Sequence, residues 1–329
     1  MKQRIAYATT RDGIQIAYSS IGDGSPVVRT SHWMTHVQYD LKSPIWRHTL
    51  LYFALRHRLI SYDARGEGMS QRDVDTLSFE AWQSDLDAVV DAAGLDRFAL
   101  FGASQGAATA IAYAVRHPER ISHLILYGGF ANNRLRWDDK ASFELASNLI
   151  RQGWGSGHDA YRQWFTSRFL PEGSVDQFRY FNRMQTLSAS PEIAEKHLAA
   201  AAMIDVTEML PKVTVPTLVL HCQGDIVAPI DCGREIAAAI PGARFVPLPG
   251  KNHMFLAGSE AHREFAECVA DFLGDPPPPR MLPGTRNLHE HANAVVGAVE
   301  RNWLIKLALL AGALIGLALS IAQIAGAFG

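Results

Sequence analysis

The sequence predicts an α/β fold with a mainly parallel central sheet flanked by helices. Strand-like and helix-like segments alternate over the first 130 residues, and the same alternation resumes after residue 210. Parallel strands need a crossover connection, usually a helix, so this alternation is typical of a parallel sheet wrapped by helices. Between the two halves lies a helix-like, aromatic-rich stretch, which predicts an inserted helical cap.

Residues 1–130 form the first part of the predicted core. The segment from Ile14 to Ser20 has the alternating pattern of a strand and directly follows Asp12-Gly13, which indicates an early hairpin. The strand candidates are residues 14–20, 26–31, 58–63, 97–101 and 123–127, and the helix candidates are residues 44–56, 79–93 and 104–117.

A Gly-Ala-Ser-Gln-Gly run at residues 102–106 joins a predicted strand to a predicted helix. G-x-S-x-G in that context is the nucleophile elbow, a turn so sharp that small residues must flank the serine. The hydroxyl of Ser104 then projects from the sheet edge near the N-terminus of the following helix, whose dipole favours developing negative charge. The motif by itself is also consistent with a glycine-rich turn, so the choice between the two depends on the partner residues elsewhere in the chain.

Residues 131–210 are predicted to form the helical cap. This stretch contains several helix-like segments, no strong strand and many aromatic residues. Most of the aromatic side chains are expected to form the cap's own core. A few could line an apolar pocket over the active site.

The core is predicted to resume over residues 211–274. Its strand candidates are residues 217–221 and 243–248, and its helix candidates are residues 231–240 and 260–273. Four prolines from Pro276 to Pro279 follow, and proline cannot continue a helix. Residues 275–302 are therefore predicted to be a linker, stiff at its proline run.

Residues 303–329 are predicted to be a hydrophobic membrane-anchor helix. Lys306 is the one charged residue in this stretch, and about 20 apolar residues suffice to cross a bilayer. Arg301 and Lys306 lie on the enzyme side, so the positive-inside rule predicts a cytoplasmic catalytic domain, and a fully cytoplasmic protein if the tail does not insert. Gly312 and Gly316 form G-x-x-x-G, which permits homodimer packing. The alternative to a membrane anchor is that residues 303–329 form a buried or self-associating helix.

The chain resembles the α/β-hydrolase family over roughly residues 5–273. The elbow at residues 102–106 carries this resemblance, together with Asp-Ala-Arg-Gly-Glu-Gly-Met-Ser at residues 63–70, which is similar to the family's D-x-R-G-x-G-x-S turn. Glycines allow that turn, and Asp63 and Arg65 are expected to form local hydrogen bonds.

The resemblance implies a catalytic triad in the chain order serine, acid, histidine. Ser104 matches the nucleophile, Asp225 follows a strand as the family's acid does, and His253 lies in the loop after the last strand, where the family carries its base. The histidine would take the serine's proton, and the carboxylate would orient the histidine and stabilise the imidazolium.

An oxyanion hole is expected from two backbone N–H groups. One is that of Gln105, directly after the nucleophile, and the other that of Trp33, in the loop after the strand at residues 26–31. Many relatives have His-Gly before the latter residue, whereas this chain has Ser31-His32-Trp33, and a residue other than glycine at position 32 is expected to alter the backbone of this loop.

Bulk composition excludes several classes of protein. The chain of 329 residues has a formal net charge of −2 and 48% hydrophobic residues, so no basic surface for nucleic acid is expected. Its three cysteines form neither a disulfide framework nor a metal motif. No metal or organic cofactor is implied.

The sequence therefore predicts a serine hydrolase, most simply a carboxylic ester hydrolase acting on an apolar acyl or aryl ester through an acyl-Ser104 intermediate. The same triad supports a lactonase, an amidase or peptidase, a C–C hydrolase or a perhydrolase. A non-catalytic ligand-sensing module of the same fold is the rival from another class. A third hypothesis assigns the main function to residues 303–329 and makes the folded domain mainly an assembly partner.

Overall fold

Eight strands form one sheet in the part of the chain that this computed structural model describes, namely residues 1–133, 140–156 and 160–277. They are β1 (Arg4–Thr9), β2 (Gln15–Ile21), β3 (Pro26–Arg29), β4 (Arg58–Tyr62), β5 (Phe98–Ala103), β6 (Ile121–Tyr127), β7 (Thr217–Cys222) and β8 (Arg244–Leu248). Their order across the sheet is β1-β2-β4-β3-β5-β6-β7-β8. The pairs β1–β2 and β2–β4 are antiparallel and the remaining pairs are parallel, so the prediction of a mainly parallel sheet is confirmed.

Helices cover both faces of this sheet. They are α1 (Val37–Asp40), α2 (Arg47–Ala54), α3 (Phe79–Ala92), α4 (Gly106–Arg116), α5 (Lys140–Gly153), α6 (Ala160–Phe169), α7 (Val175–Ser188), α8 (Pro191–Ala202), α9 (Ile230–Ala239) and α10 (Glu260–Leu273). Consecutive strand residues point to opposite faces, and on β5 Phe101 joins one apolar cluster while Leu100 joins the other. Strand β5 is buried along its whole length because it is covered on both sides.

Helices α5 to α8 lie in the chain between β6 and β7. The hydroxyl of Tyr180 on α7 donates to Tyr39 O at 2.6 Å, and Gly68 N donates to Ser188 O at 2.8 Å. Tyr39 lies in α1, in the segment that follows β3, and Gly68 lies in the loop that follows β4. The carboxyl ends of parallel strands share one edge of a sheet. These helices therefore pack over the carboxyl edge, where α/β proteins bind their ligands.

The turn at residues 63–70 forms the expected local bonds at Asp63 but not at Arg65. The Asp63 carboxylate accepts from Met69 N at 2.9 Å and from Val37 N at 2.8 Å. Arg65 instead pairs with Asp85 on α3 and with Asp12 beside the β1–β2 hairpin, at 2.8 and 2.7 Å. A long guanidinium reaches distant carboxylates that a spacing argument within the turn does not reveal. The prediction of local bonding by Arg65 was wrong.

No helix within the described residues is both long enough and apolar enough to cross a bilayer. The predicted anchor at residues 303–329 lies outside those residues, as does the predicted linker from residue 278 to residue 302. Both stay predictions from the sequence.

Acid is expected to destabilise the fold through two histidines that pack between α2 and α10. The rings of His48 and His262 meet edge-on at 4.3 Å, and burial lowers the pKa of His262 from 6.5 to about 4. Burial, with a smaller contribution from His262, likewise lowers the pKa of His48 to about 3. Because the pKa of each histidine is lower in the folded protein, the unfolded chain binds the proton at a higher pH than the folded protein does. The stabilisation is therefore complete above about pH 6.5 and is lost as the pH falls toward 4.

We expect His262→Phe to reduce this acid sensitivity. Phenylalanine retains the ring packing against Phe255 and Phe265 and has no proton to gain. Urea unfolding at pH 6.5 and pH 5 should show a loss of unfolding free energy that is about 2 kcal/mol larger in the wild type. Equal losses in the two proteins would contradict the prediction.

Candidate active site

Ser104 occupies the turn between β5 and α4 with an unusual backbone conformation. Its φ is 54°, in the left-handed region that residues other than glycine rarely adopt. Its N–H donates to Tyr127 O on the neighbouring strand at 2.9 Å, which extends the sheet up to the turn. Strain of this kind persists where the surrounding structure imposes it, and it occurs frequently at active sites.

The glycines of the elbow are required by close backbone approach. A Cβ on Gly106 would lie 2.4 Å from Thr30 Oγ1 and 2.5 Å from Ser31 O. A Cβ on Gly102 would lie 2.8 Å from the Cα of Ala107. The first helical turn thus sits directly against the loop that follows β3, and larger residues would separate the two.

The fold brings Ser104, Asp225 and His253 together. His253 Nε2 lies 2.8 Å from Ser104 Oγ, and His253 Nδ1 lies 2.6 Å from Asp225 Oδ2. Asp225 follows β7 and His253 follows β8, so three strand ends supply the three side chains. All three residues are buried, which keeps competing water away from their hydrogen bonds.

The orientation of the Asp225 carboxylate is set by the backbone. Its Oδ1 accepts from Val227 N at 2.8 Å and from Ala228 N at 3.1 Å, which leaves Oδ2 directed at His253. A carboxylate facing Nδ1 holds the imidazole proton on that nitrogen, so Nε2 remains a base toward the serine. Burial lowers the pKa of the neighbouring His221, whose Nε2 donates to Ala228 O at 2.7 Å.

The two predicted oxyanion donors lie in adjacent segments. Thr30, which immediately follows β3, donates from its hydroxyl to Gly106 O at 3.0 Å and so bonds the loop of Trp33 to the elbow. The backbone N–H groups of Trp33 and Gln105 have no hydrogen-bond acceptor among the described residues. Met34, next to Trp33, has a φ of 57°, so this loop is strained as the elbow is.

The departure at position 32 has a structural explanation. The His32 ring is fully buried and stacks on Trp46, with the ring centroids 4.5 Å apart. Burial, reinforced by the Arg29 charge, lowers the pKa of His32 well below its ordinary value, so the ring is neutral. A packed aromatic ring therefore occupies position 32, in place of the glycine that the resemblance implies there.

An apolar cleft lies beside this site, between the loop of Trp33 and helices α6 and α8. It is lined by Trp33, Trp164, Phe165, Arg168, Phe169, Leu198 and Val227. Phe169 O accepts from His253 N at 2.9 Å, and the Phe169 ring meets the His253 ring edge-on at 5.2 Å. Some of the aromatic residues between 131 and 210 thus do line an apolar pocket, as the sequence suggested.

Sequence reasoning missed two residues that contact this site. They are Gly128, where a Cβ would lie 3.3 Å from the His253 ring, and His197, which contacts the Gln105 side chain. Gly128 directly follows a predicted strand and has a φ of 56°, so glycine at a strand end was a usable signal. Nothing in the sequence around His197 distinguishes it from a residue that packs among the helices of residues 131–210.

Comparison with known proteins finds relatives of one fold family. A family model described as the alpha/beta hydrolase fold matches residues 36–258. The chain is 27% identical over 279 residues to a non-heme chloroperoxidase of Kitasatospora aureofaciens, covering 80% of this chain and 98% of that protein. It is 25% identical over 269 residues to a bifunctional esterase/perhydrolase of Acinetobacter calcoaceticus, covering 76% and 93%. A thermophilic esterase from Thermogutta terrifontis superposes with a TM-score of 0.67 at 25% identity, covering 82% and 98%.

Proposed function

Because the chain belongs to the α/β-hydrolase family and is an enzyme of that fold, we propose that it is a serine hydrolase that cleaves carboxylic esters through an acyl-Ser104 intermediate. The observation that carries the proposal is the hydrogen-bonded series Ser104–His253–Asp225, with contacts of 2.8 and 2.6 Å. A hydroxyl, a base and an orienting carboxylate in that arrangement are what acyl transfer requires.

In the proposed reaction His253 Nε2 removes the Ser104 proton as Oγ attacks the ester carbonyl. The tetrahedral oxyanion accepts hydrogen bonds from the N–H groups of Trp33 and Gln105. His253 then protonates the departing alcohol, which leaves an acyl-serine ester. Water attacks that ester with His253 as base, and collapse of the second tetrahedral intermediate releases the carboxylic acid and restores Ser104.

The substrate is proposed to be an ester with an apolar acyl or aryl group. The cleft beside the triad presents the rings of Trp33, Trp164, Phe165 and Phe169 together with the aliphatic side chains of Leu198 and Val227. Such a surface favours apolar groups through burial alone, at roughly 25 cal/mol per Å². Helices α6 and α8 supply most of this lining, which supports a capping role for residues 131–210.

The proposal is tested by covalent labelling of the full-length protein. A fluorophosphonate probe should label one serine, and mass spectrometry of the digested protein should locate the label on Ser104. Turnover of p-nitrophenyl esters from acetate to decanoate then measures the length of acyl group that the cleft accepts. Label on another serine, or no label and no turnover in folded protein, would overturn the proposal.

Perhydrolysis is a second candidate activity on the same triad. It is favoured by the relatives named as a non-heme chloroperoxidase and as an esterase/perhydrolase. Here hydrogen peroxide would replace water in the attack on acyl-Ser104, yielding a peracid and free serine. Acetate with peroxide at mildly acidic pH, followed by oxidation of a halide or a dye, distinguishes the two activities.

The remaining proposals concern residues outside the described structure. From composition we propose that residues 303–329 anchor the enzyme to a membrane, with the catalytic domain on the cytoplasmic side. We also propose that these residues form a homodimer contact through Gly312 and Gly316. Membrane fractionation of the full chain against a chain ending at residue 302 tests the anchor. Recovery of both in the soluble fraction would contradict it.

A further inference from the structure

His197 lies on α8, among the helices that cover the site, and connects two buried polar side chains. Its Nδ1 lies 2.5 Å from Glu67 Oε1, and its Nε2 is in hydrogen-bond contact with Nε2 of Gln105. His197 and Glu67 are completely buried, and Gln105 is nearly so. Removing the His197 imidazole would leave the buried Glu67 carboxylate without this charge contact and the Gln105 amide nitrogen without this partner, and such losses are costly in a buried site.

The partners of His197 belong to the proposed oxyanion hole. Gln105 supplies one of the two backbone N–H donors. Glu67 uses its other oxygen, Oε2, to accept from Thr35 N at 3.0 Å and from Thr35 Oγ1 at 3.1 Å. Thr35 is two residues from Trp33, the second donor. His197 is therefore joined through side chains to both segments that supply the N–H groups.

The His197 ring is also held by packing. The Trp33 ring meets it edge-on at 5.3 Å, and the Trp82 ring of α3 lies 4.6 Å away. The Glu67 carboxylate favours the tautomer with the proton on Nδ1, which leaves Nε2 to accept from the Gln105 amide. The packing of the ring and this tautomer together direct His197 Nε2 at the Gln105 amide nitrogen.

We propose that His197 is a positioning residue for the oxyanion hole, acting through Gln105 and through the loop of Trp33 and Thr35. This inference rests on the proposed serine hydrolase function. His197 is carried by α8, so this helix contributes to the positioning of the hole. Displaced donors lose alignment with the oxyanion, and an error of about 1 Å in a catalytic geometry can lower the rate about 100-fold.

The test uses His197→Phe, which keeps a ring between Trp33 and Trp82 but has no polar atom for Glu67 or Gln105. We expect kcat for a p-nitrophenyl ester to fall between about 10-fold and 100-fold, with KM changed less than threefold. The kcat for the matching thionoester should fall far less. Sulfur accepts hydrogen bonds weakly, so the two N–H donors of the oxyanion hole stabilise its transition state little in either protein. The ester-to-thionoester rate ratio should therefore fall at least fivefold.

A matched control is His57→Phe, which removes another buried histidine with two polar partners. His57 bonds to Ser25 and Asp275 at 2.9 and 2.7 Å and precedes β4, at the opposite edge of the sheet from the triad. It should lower the melting temperature without changing the rate ratio. If His197→Phe does not fold, His197→Asn, which can bond one partner but not both, is expected to lower the ratio in the same sense.

The outcomes separate the positioning role from the hydrolase function. An unchanged ratio in a folded His197 variant, or equal losses for ester and thionoester, would overturn the positioning role while fluorophosphonate labelling of Ser104 in the wild type still supported the hydrolase. Absence of labelling and of turnover in the wild type would overturn both.

Discussion

Ester turnover is expected to fall about 10⁶-fold in Ser104→Ala, down to the rate that binding and the oxyanion hole alone supply. The change removes the one hydroxyl within hydrogen-bonding distance of His253 Nε2 among the described residues. Steady-state assays with p-nitrophenyl butyrate measure the effect, and fluorophosphonate labelling should disappear in parallel. Residual turnover above about one thousandth of the wild-type rate would identify a different nucleophile.

The same position should also separate activity from stability. Ser104→Ala keeps a Cβ at a φ of 54°, whereas Ser104→Gly relieves that strain. Both variants should be inactive, with the glycine variant the more stable by about 1 kcal/mol in urea unfolding. Ser78→Ala is the control serine, because its side chain caps α3. It should lose about 1 kcal/mol of stability and keep full turnover.

Asp225→Asn is expected to lower kcat about 10⁴-fold without unfolding the protein. Val227 N and Ala228 N both donate to Oδ1, so the asparagine carbonyl must remain there and its amide must face His253 Nδ1. The amide then donates to Nδ1 and shifts the imidazole proton to Nε2, where the ring can no longer accept a proton from the serine.

The matched control for this second prediction is Asp231→Asn, an exposed aspartate on α9 that pairs with Arg234 at 2.8 Å. Single-turnover acylation should be unaffected in the control and slowed in Asp225→Asn, while circular dichroism shows the same fold in both. Acylation by Asp225→Asn within tenfold of the wild-type rate would indicate that another group orients His253.

Much of the core could be predicted because it depends on local periodicity. Strands β4 to β8 and helices α3, α4, α9 and α10 each carry an apolar pattern that survives in the folded chain with ends shifted by a few residues. The four-residue helix α1 was not predicted, because one helical turn has no period to detect. The ion pairs of Arg65 with Asp12 and Asp85 could not be predicted for another reason, because they join segments far apart in the chain.

By itself the sequence determined the fold class, the position of Ser104 in its turn and the order of the candidate acid and base, because strand ends, glycines and chain order are local properties. The tertiary structure decided what meets at the site. It set the contacts of His253 with Ser104 and Asp225, the placement of His32 against Trp46, and the contact of His197 on α8 with Gln105 beside the nucleophile. Such contacts arise when a parallel sheet gathers its strand ends at one edge and a separate set of helices packs over them, so they depend on residues that no spacing along the chain relates.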